Sequence, residues 1–294
     1  KMGAEILSTD GHLPIRIRGK KLDGIQYALP IASAQVKSCV LLAGLSANGK
    51  TFVEENIKSR DHTERMMKIF KIPIFHNKNV ISVHALKRSI PAFDYSVPGD
   101  PSSAAYWVAA GLLLPKSKLS LKKMSMNPTR TAFISLLKGS GADIENIENS
   151  KGLEPVGDIV VRSSKLKAFE IRSKQVPSLI DEIPLLALIA TQAKGETRIS
   201  GAKELRYKES DRIATTVKML RALGAEVEEL EDGMLIQGGT KLKGGSINAY
   251  GDHRIAMTAS IAALICENPV KLSGWSCVDI SYPSFYEILK RIGK

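Results

Sequence analysis

The 294-residue chain carries 42 Lys and Arg against 30 Asp and Glu, a formal charge of +12 with histidine neutral, so an anionic partner is the first expectation. Length and 44% apolar content suffice for about two domains and exclude a disordered or collagen-like chain. Aromatics at 5% are thin for base-stacking platforms. No apolar run approaches the roughly 20 residues of a membrane helix. Cys39, Cys266 and Cys277 form no CxxC pair, which speaks against a disulfide scaffold or zinc ribbon and for a reducing cytoplasm. The start, Lys1-Met2-Gly3-Ala4-Glu5, has neither an initiator methionine at position 1 nor a signal-peptide layout, and reads as a chain that begins mid-protein.

In chain order, Gly3-Ala4-Glu5-Ile6 has the form of a helix-to-strand turn whose helix lies upstream. An apolar helix is predicted over Ser33 to Ala47, then a turn at Asn48-Gly49-Lys50 and a strand at Thr51-Phe52-Val53. A weaker amphipathic helix follows over Asp61–Phe70, then a strand at Val80–Val83. Pro91, Pro98, Gly99 and Pro101 place a domain seam near Phe93–Pro101. Beyond it the same pattern returns. Apolar helices are predicted over Ser102–Leu114, Asp181–Ala193 and Asp252–Cys266, each leading through a turn to a strand, at Leu119–Leu121, Thr197–Ile199 and Val270–Leu272. Amphipathic helices over Arg130–Lys138 and Asp211–Leu223 end in glycines Gly141 and Gly224, and further strands fall at Ile159–Val161 and Met234–Ile236. The order helix, strand, helix, strand, strand thus recurs about every 60–75 residues, an α/β repeat. The Ala-rich helices are apolar nearly all round and are predicted to be buried with sheets wrapped about them.

Polar groups collect where these helices begin. Arg206-Tyr207-Lys208-Glu209-Ser210-Asp211-Arg212 is the densest charged cluster. Lys208 and Arg212 would share a face if the helix began that early, and a helix N-terminus with converging cations can hold a phosphate or carboxylate while Glu209 moves a proton. A solvated helix start with i,i+4 pairs explains the same residues. Asp181-Glu182 opens an apolar helix, where one carboxylate suffices as a cap and the second is left for other work. Gly251-Asp252-His253-Arg254 reads as a cap with no His partner at metal-binding spacing. Ser33-Ala34-Gln35 and Gly99-Asp100-Pro101-Ser102-Ser103 are further polar helix starts. If the repeats point these starts the same way, dipoles and side chains converge on one anion-binding cleft.

The run Arg206-Tyr207-Lys208-Glu209-Ser210-Asp211-Arg212-Ile213 resembles the signature of the 5-enolpyruvylshikimate-3-phosphate synthase (3-phosphoshikimate 1-carboxyvinyltransferase) family. Ser33-Ala34-Gln35, Ser59-Arg60-Asp61-His62-Thr63-Glu64, Gly99–Ser103, Pro177–Glu182 and Gly251–Arg254 follow in that family's order, so the resemblance covers essentially the whole chain. The Ser-Ala-Gln and Asp-Glu variants are closer to its bacterial class II branch. The resemblance implies an α/β fold, an enolpyruvyl transferase-like inside-out barrel of two lobes, each of three repeated helix-strand-helix-strand-strand units. Residues 1–95 would then be the C-terminal part of the first lobe and residues 96–294 the second lobe, with the family's N-terminal Lys-Ser motif, its Gly-Asn-Ala-Gly-Thr-type loop and the arginine beyond it lying outside this chain.

The reaction so implied joins phosphoenolpyruvate to the 5-hydroxyl of shikimate 3-phosphate and expels phosphate through a tetrahedral intermediate, as a step of aromatic amino acid biosynthesis. The resemblance implies no metal and no organic cofactor. By match to the family's motifs, Asp181 is the base toward the 5-hydroxyl, Lys208 lies close to that group, and Glu209 is a second acid/base near the enolpyruvyl methylene. Ser33, Ala34, Gln35 and Arg60 contact shikimate 3-phosphate, Gln35 also reaches phosphoenolpyruvate, and Arg212 and Arg254 clamp phosphoenolpyruvate, a task suited to guanidinium forks. Ile280 stands where some members carry a lysine, so no C-terminal lysine joins the site. The expected protein is a cytoplasmic monomer when complete, with no nucleic-acid or membrane partner. Three other readings stand beside it: a UDP-N-acetylglucosamine enolpyruvyl transferase, although no catalytic-cysteine loop is recognisable; a non-catalytic fragment; and a nucleic-acid-binding module, opposed by scattered basic residues and few aromatics.

Overall fold

The computed structural model describes residues 1–292 apart from 151 and 153. The chain divides into two compact units, Lys1–Ser96 and Val97–Lys294.

In chain order the first unit contains β1 (Glu5–Thr9), β2 (His12–Arg18), β3 (Leu22–Asp23), β4 (Gln26–Ala28), helix α1 (Ala34–Gly44), β5 (Ala47–Asn48) and β6 (Lys50–Glu54). Helix α2 (His62–Ile69), β7 (Ile74–Asn77) and β8 (Val80–His84) complete it. One sheet runs β4-β6-β8-β7, with β4 parallel to β6 and the other pairs antiparallel. Helix α1 is shorter than its apolar run suggests: it stops at Gly44, and Ala47–Asn48 pairs instead with β3 as a parallel strand. Gly44 fits because a Cβ there would lie 2.8 Å from the side chains of Thr51 and Val83, so the helix end presses directly on β6 and β8. The buried face of α1 is Lys37, Leu41 and Gly44, over a core of Leu29, Val53, Met67, Ile72, Ile81 and Val83. Its other face does not meet the expectation of burial: Val36, Cys39 and Leu42 are exposed. One helix lying on one sheet has a single side to bury, whatever its composition.

The second unit runs through α3 (Pro101–Leu113), β9 (Lys118–Ser125), α4 (Ala132–Gly139), β10 (Asp143–Ser150) and β11 (Val156–Arg162). Next come β12 (Glu170–Ile171), α5 (Val176–Leu179), α6 (Ile183–Gln192), β13 (Glu196–Ile199), a 3-10 turn at Lys203–Tyr207, α7 (Arg212–Ala222), β14 (Val227–Leu230) and β15 (Gly233–Gln237). It closes with β16 (Gly245–Asn248), α8 (His253–Ala263), β17 (Val270–Ser273), a second 3-10 turn at Trp275–Ile280 and α9 (Phe285–Ile292). The sheets are β10-β11-β9, β12-β13-β15-β14 and β16-β17. The middle one repeats the pattern of β4-β6-β8-β7, including the parallel first pair, so each full unit opens with a short strand ahead of its first helix. Helices α3, α6 and α8 pack on one another, and each also packs on strands of the sheets. They are buried nearly all round: every residue of α6 from Ile183 to Thr191 is buried, as the apolar composition requires. Trp107 on α3 stacks on Phe285 of α9 at 5.1 Å between ring centroids, and its Nε1 donates to the Tyr282 hydroxyl at 2.9 Å.

Candidate active site

Mutual packing of α3, α6 and α8 brings their starts together, and α7 adds its own. Helix α7 begins at Arg212 because Asp211 adopts an extended conformation and accepts a hydrogen bond from the Ala214 amide at 3.0 Å. Arg212 is therefore the first helical residue, and its guanidinium is 1% exposed. Its Nε donates to Asp252 Oδ2 at 2.8 Å and its Nη2 to Glu209 Oε2 at 2.5 Å, while Nη1 stands 3.6 Å from Asp181 Oδ1. Asp252 is wholly buried and does three jobs. It caps α8 by accepting from the Arg254 amide at 2.9 Å, accepts from the Ser210 hydroxyl at 2.9 Å, and anchors Arg212. Burial alone would raise its carboxyl, but the hydrogen bond and charge of Arg212, with Ser210 and the Arg254 amide, hold it below the ordinary range.

Arg254, at the start of α8, donates through Nη1 to the backbone carbonyl of Asp181 at 2.9 Å, and its Nη2 lies 3.5 Å from Asp181 Oδ2. Asp181 thus stands between two guanidiniums. Burial works against charge on Arg254, yet Tyr106, Asp181, Glu182 and Asp100 around it raise its affinity for the proton. The neighbouring Glu182 is 5% exposed and accepts from the Ser102 hydroxyl at 2.5 Å. Arg130 donates to that same hydroxyl at 2.8 Å and to Asp100 at 2.6 Å. Burial pushes the Glu182 carboxyl above its usual range in spite of Arg254 and Ser102. Glu182 occupies the N-cap position of α6 but its side chain makes no capping bond among the described residues, so side-chain capping does not explain it.

The structure thus joins Asp181, Glu209, Arg212 and Arg254 of the expected site. Lys208 is placed differently. It lies in extended backbone ahead of α7, so it does not share a helix face with Arg212, and its Nζ bonds Glu204 at 2.6 Å. In the first unit, Ser33 caps α1 by accepting from the Val36 amide at 3.3 Å, which puts Ala34 and Gln35 at the first turn. Arg60 sits on the loop before α2 beside the buried Ser59. Nothing in the sequence marks Ser102 as the partner of Glu182 or Arg130 as the partner of Ser102, and its pattern shows Asp252 only as a cap. The signal for Asp252 was the run of apolar residues after it, which places a cap carboxylate where water is scarce. Among the described residues no group of His, Cys, Asp and Glu has the arrangement to hold a metal ion.

Repeated α/β units whose buried helices start in a cluster of paired arginines and carboxylates present a set of cations with the chemistry to receive small anions. The family model described as EPSP synthase (3-phosphoshikimate 1-carboxyvinyltransferase) matches residues 1–289, and the chain belongs to that family. It is 49% identical to the 3-phosphoshikimate 1-carboxyvinyltransferase of Endomicrobium trichonymphae over 99% of this chain and 69% of the relative. The protein of the same name from Bacillus subtilis is 46% identical, over 100% of this chain and 69% of the relative. A solved EPSP synthase from Acinetobacter baumannii superposes with a TM-score of 0.88 at 41% identity, covering 99% of this chain and 68% of that one. The fold is accordingly the mixed α/β enolpyruvyl transferase fold, and the family is one of transferases.

Proposed function

We propose that this chain takes part in transfer of the enolpyruvyl group of phosphoenolpyruvate to the 5-hydroxyl of shikimate 3-phosphate, with release of phosphate. The observation that carries the reading is the placement of Asp181 between the guanidiniums of Arg212 and Arg254. Asp181 takes the proton of the 5-hydroxyl as its oxygen bonds to C2 of phosphoenolpyruvate. Glu209 gives a proton to the methylene carbon at that step and takes one back when the C2–O bond to phosphate breaks and the double bond re-forms. Lys208 approaches the 5-hydroxyl after leaving Glu204, an exposed pair of the kind worth only about 0.2–1 kcal/mol.

The partners of Arg212 differ in how readily they give way. Asp252 is wholly buried and stays, whereas Asp181 and Glu209 are 17% and 48% exposed and can yield their places to a substrate carboxylate or phosphate. The site is therefore held in shape by one carboxylate and kept occupied by two exchangeable ones, so that bringing two anions together meets preorganised cations. Ser33, Ala34, Gln35 and Arg60 hold shikimate 3-phosphate, with Gln35 also reaching phosphoenolpyruvate, and Arg212 and Arg254 hold phosphoenolpyruvate. The working protein is a cytoplasmic monomer that binds neither nucleic acid nor membrane. Among the described residues no helix is long and apolar enough to cross a membrane.

The test is phosphate release with both substrates, measured on this chain and on the longest product of its reading frame. Release that needs both substrates supports the reading; no release from the longest product overturns it, and salt-sensitive DNA binding in its place would favour a nucleic-acid module.

A further inference from the structure

The buried face of helix α1 is apolar except at Lys37, whose side chain is 0% exposed. Its Nζ lies 3.1 Å from Glu55 Oε1 and 3.2 Å from Oε2, just after β6, and 2.7 Å from Glu64 Oε1 on α2. Both carboxylates are themselves nearly buried, at 8% and 4% side-chain exposure. Glu55 in turn accepts from the Ser59 amide at 2.8 Å and from the Ser59 hydroxyl. Close by, the hydroxyls of Ser38 on α1 and Thr63 on α2 meet at 2.6 Å. The Lys37 amide donates to the Ser33 carbonyl at 3.0 Å, so the ammonium is attached one turn from the cap of α1. Glu64 Oε2 is buried with no hydrogen-bond partner among the described residues.

A buried ion triad is an expensive way to gain stability, since well-packed apolar side chains do as well or better, and an orphaned carboxylate oxygen makes it more so. What a charged triad does supply is a fixed relative position for the three segments that contribute to it. Here those segments are the first turn of α1, which carries Ser33, Ala34 and Gln35; the loop from Glu55 through Ser59 and Arg60; and the first turn of α2. We propose that Lys37 is a positioning residue for shikimate 3-phosphate: through Glu55 and Ser59 it sets the Arg60 loop against the start of α1, so that groups from both meet one ligand. The role of these segments as ligand contacts rests on the function proposed above; the strut itself does not.

Two variants of the longest product test it, Lys37→Met alone and Lys37→Met with Glu64→Leu, the second removing one of the two carboxylates that the first leaves stranded and leaving Glu55 with its bonds from Ser59. Amide hydrogen exchange over residues 55–61 and the KM for each substrate are the readouts. The double variant is expected to melt above Lys37→Met, to exchange the Ser59 amide and its neighbours at least tenfold faster than wild type, and to raise the KM for shikimate 3-phosphate at least tenfold with a smaller change for phosphoenolpyruvate. Exchange over 55–61 that matches wild type overturns the strut, as does a rise spread evenly over the first unit. Faster exchange with an unchanged KM for shikimate 3-phosphate overturns the positioning role. If wild type shows no use of shikimate 3-phosphate, the functional reading fails, while the exchange result still decides the strut.

Discussion

Two buried cations, Lys37 and Arg212, are built on opposite plans. Lys37 is a point charge enclosed by two carboxylates that are both nearly out of water, so its triad is closed. Arg212 spreads its charge over a fork, with one edge on the buried Asp252 and the other on Glu209 and Asp181, which solvent reaches. The first arrangement can only hold segments together. The second holds a cation in place and still offers it to an incoming anion, which is what a rigid guanidinium permits and a flexible ammonium does not. Burial of a charge therefore does not by itself mark a functional group; the exposure of its partners separates a strut from a receptor.

The sharpest break of that comparison comes from Arg212→Ala. It strands Asp252 in the core, and unfolding by urea should show a loss of about 3–5 kcal/mol. Turnover should fall by a factor on the order of 10² or more through loss of a charge-stabilising group. Adding Asp252→Asn to Arg212→Ala should recover part of the stability and none of the turnover; recovery of turnover would contradict the receptor role. Next in size, Asp181→Asn should reduce turnover by a factor on the order of 10²–10⁴. Its melting temperature should stay close to wild type, because Asp181 is an exchangeable partner. Near-normal rates here would remove the acid/base assignment.

Glu182→Gln gives a smaller effect with a defined sign. Burial holds the Glu182 carboxyl above its usual range, so the folded state binds this proton more tightly than the unfolded state does. Its contribution is complete below the unfolded value of about 4.3 and is lost as pH rises through the higher folded value. Glutamine keeps an acceptor for Ser102 without the charge. The variant should therefore gain stability over wild type as pH is raised from 4 to 8 in a urea series, and a parallel pair of curves would show that Glu182 is ionised at no cost. The least effect is expected from Val36→Ser with Leu42→Lys on the exposed face of α1. Folding free energy measured by urea unfolding should move within about 0.5 kcal/mol.

The four apolar helices and the glycine-closed amphipathic ones are legible in the sequence because a helix buried all round needs an unbroken apolar run, as in Ile183–Thr191. Periodicity does not say how many neighbours a helix has, which is why α1 reads like α6 yet keeps Val36, Cys39 and Leu42 exposed. The two-residue β12 is invisible for a different reason: two residues carry no alternation, and the strand exists only through its pairing with β13. At the site, Asp181, Arg212 and Arg254 are recoverable from the motifs. The extended backbone that separates Lys208 from α7 is not, since it depends on Asp211 capping the helix four residues later than the charge pattern permits. Ser102 reaches Glu182 across 80 positions of sequence, and Arg130 joins them only through the Ser102 hydroxyl, contacts that no local pattern encodes.

The clasp of α9 on α3 sets an order of assembly. Trp107 lies near the front of the second unit, and its indole partner Tyr282 stands 175 residues later, with Phe285 just beyond. During synthesis the aromatic face of α3 therefore waits, uncovered, until almost all of that unit has left the ribosome, whereas the contacts of the first unit are already available. The second unit is a late closer, and the interval before residue 285 emerges is when a chaperone has most to hold.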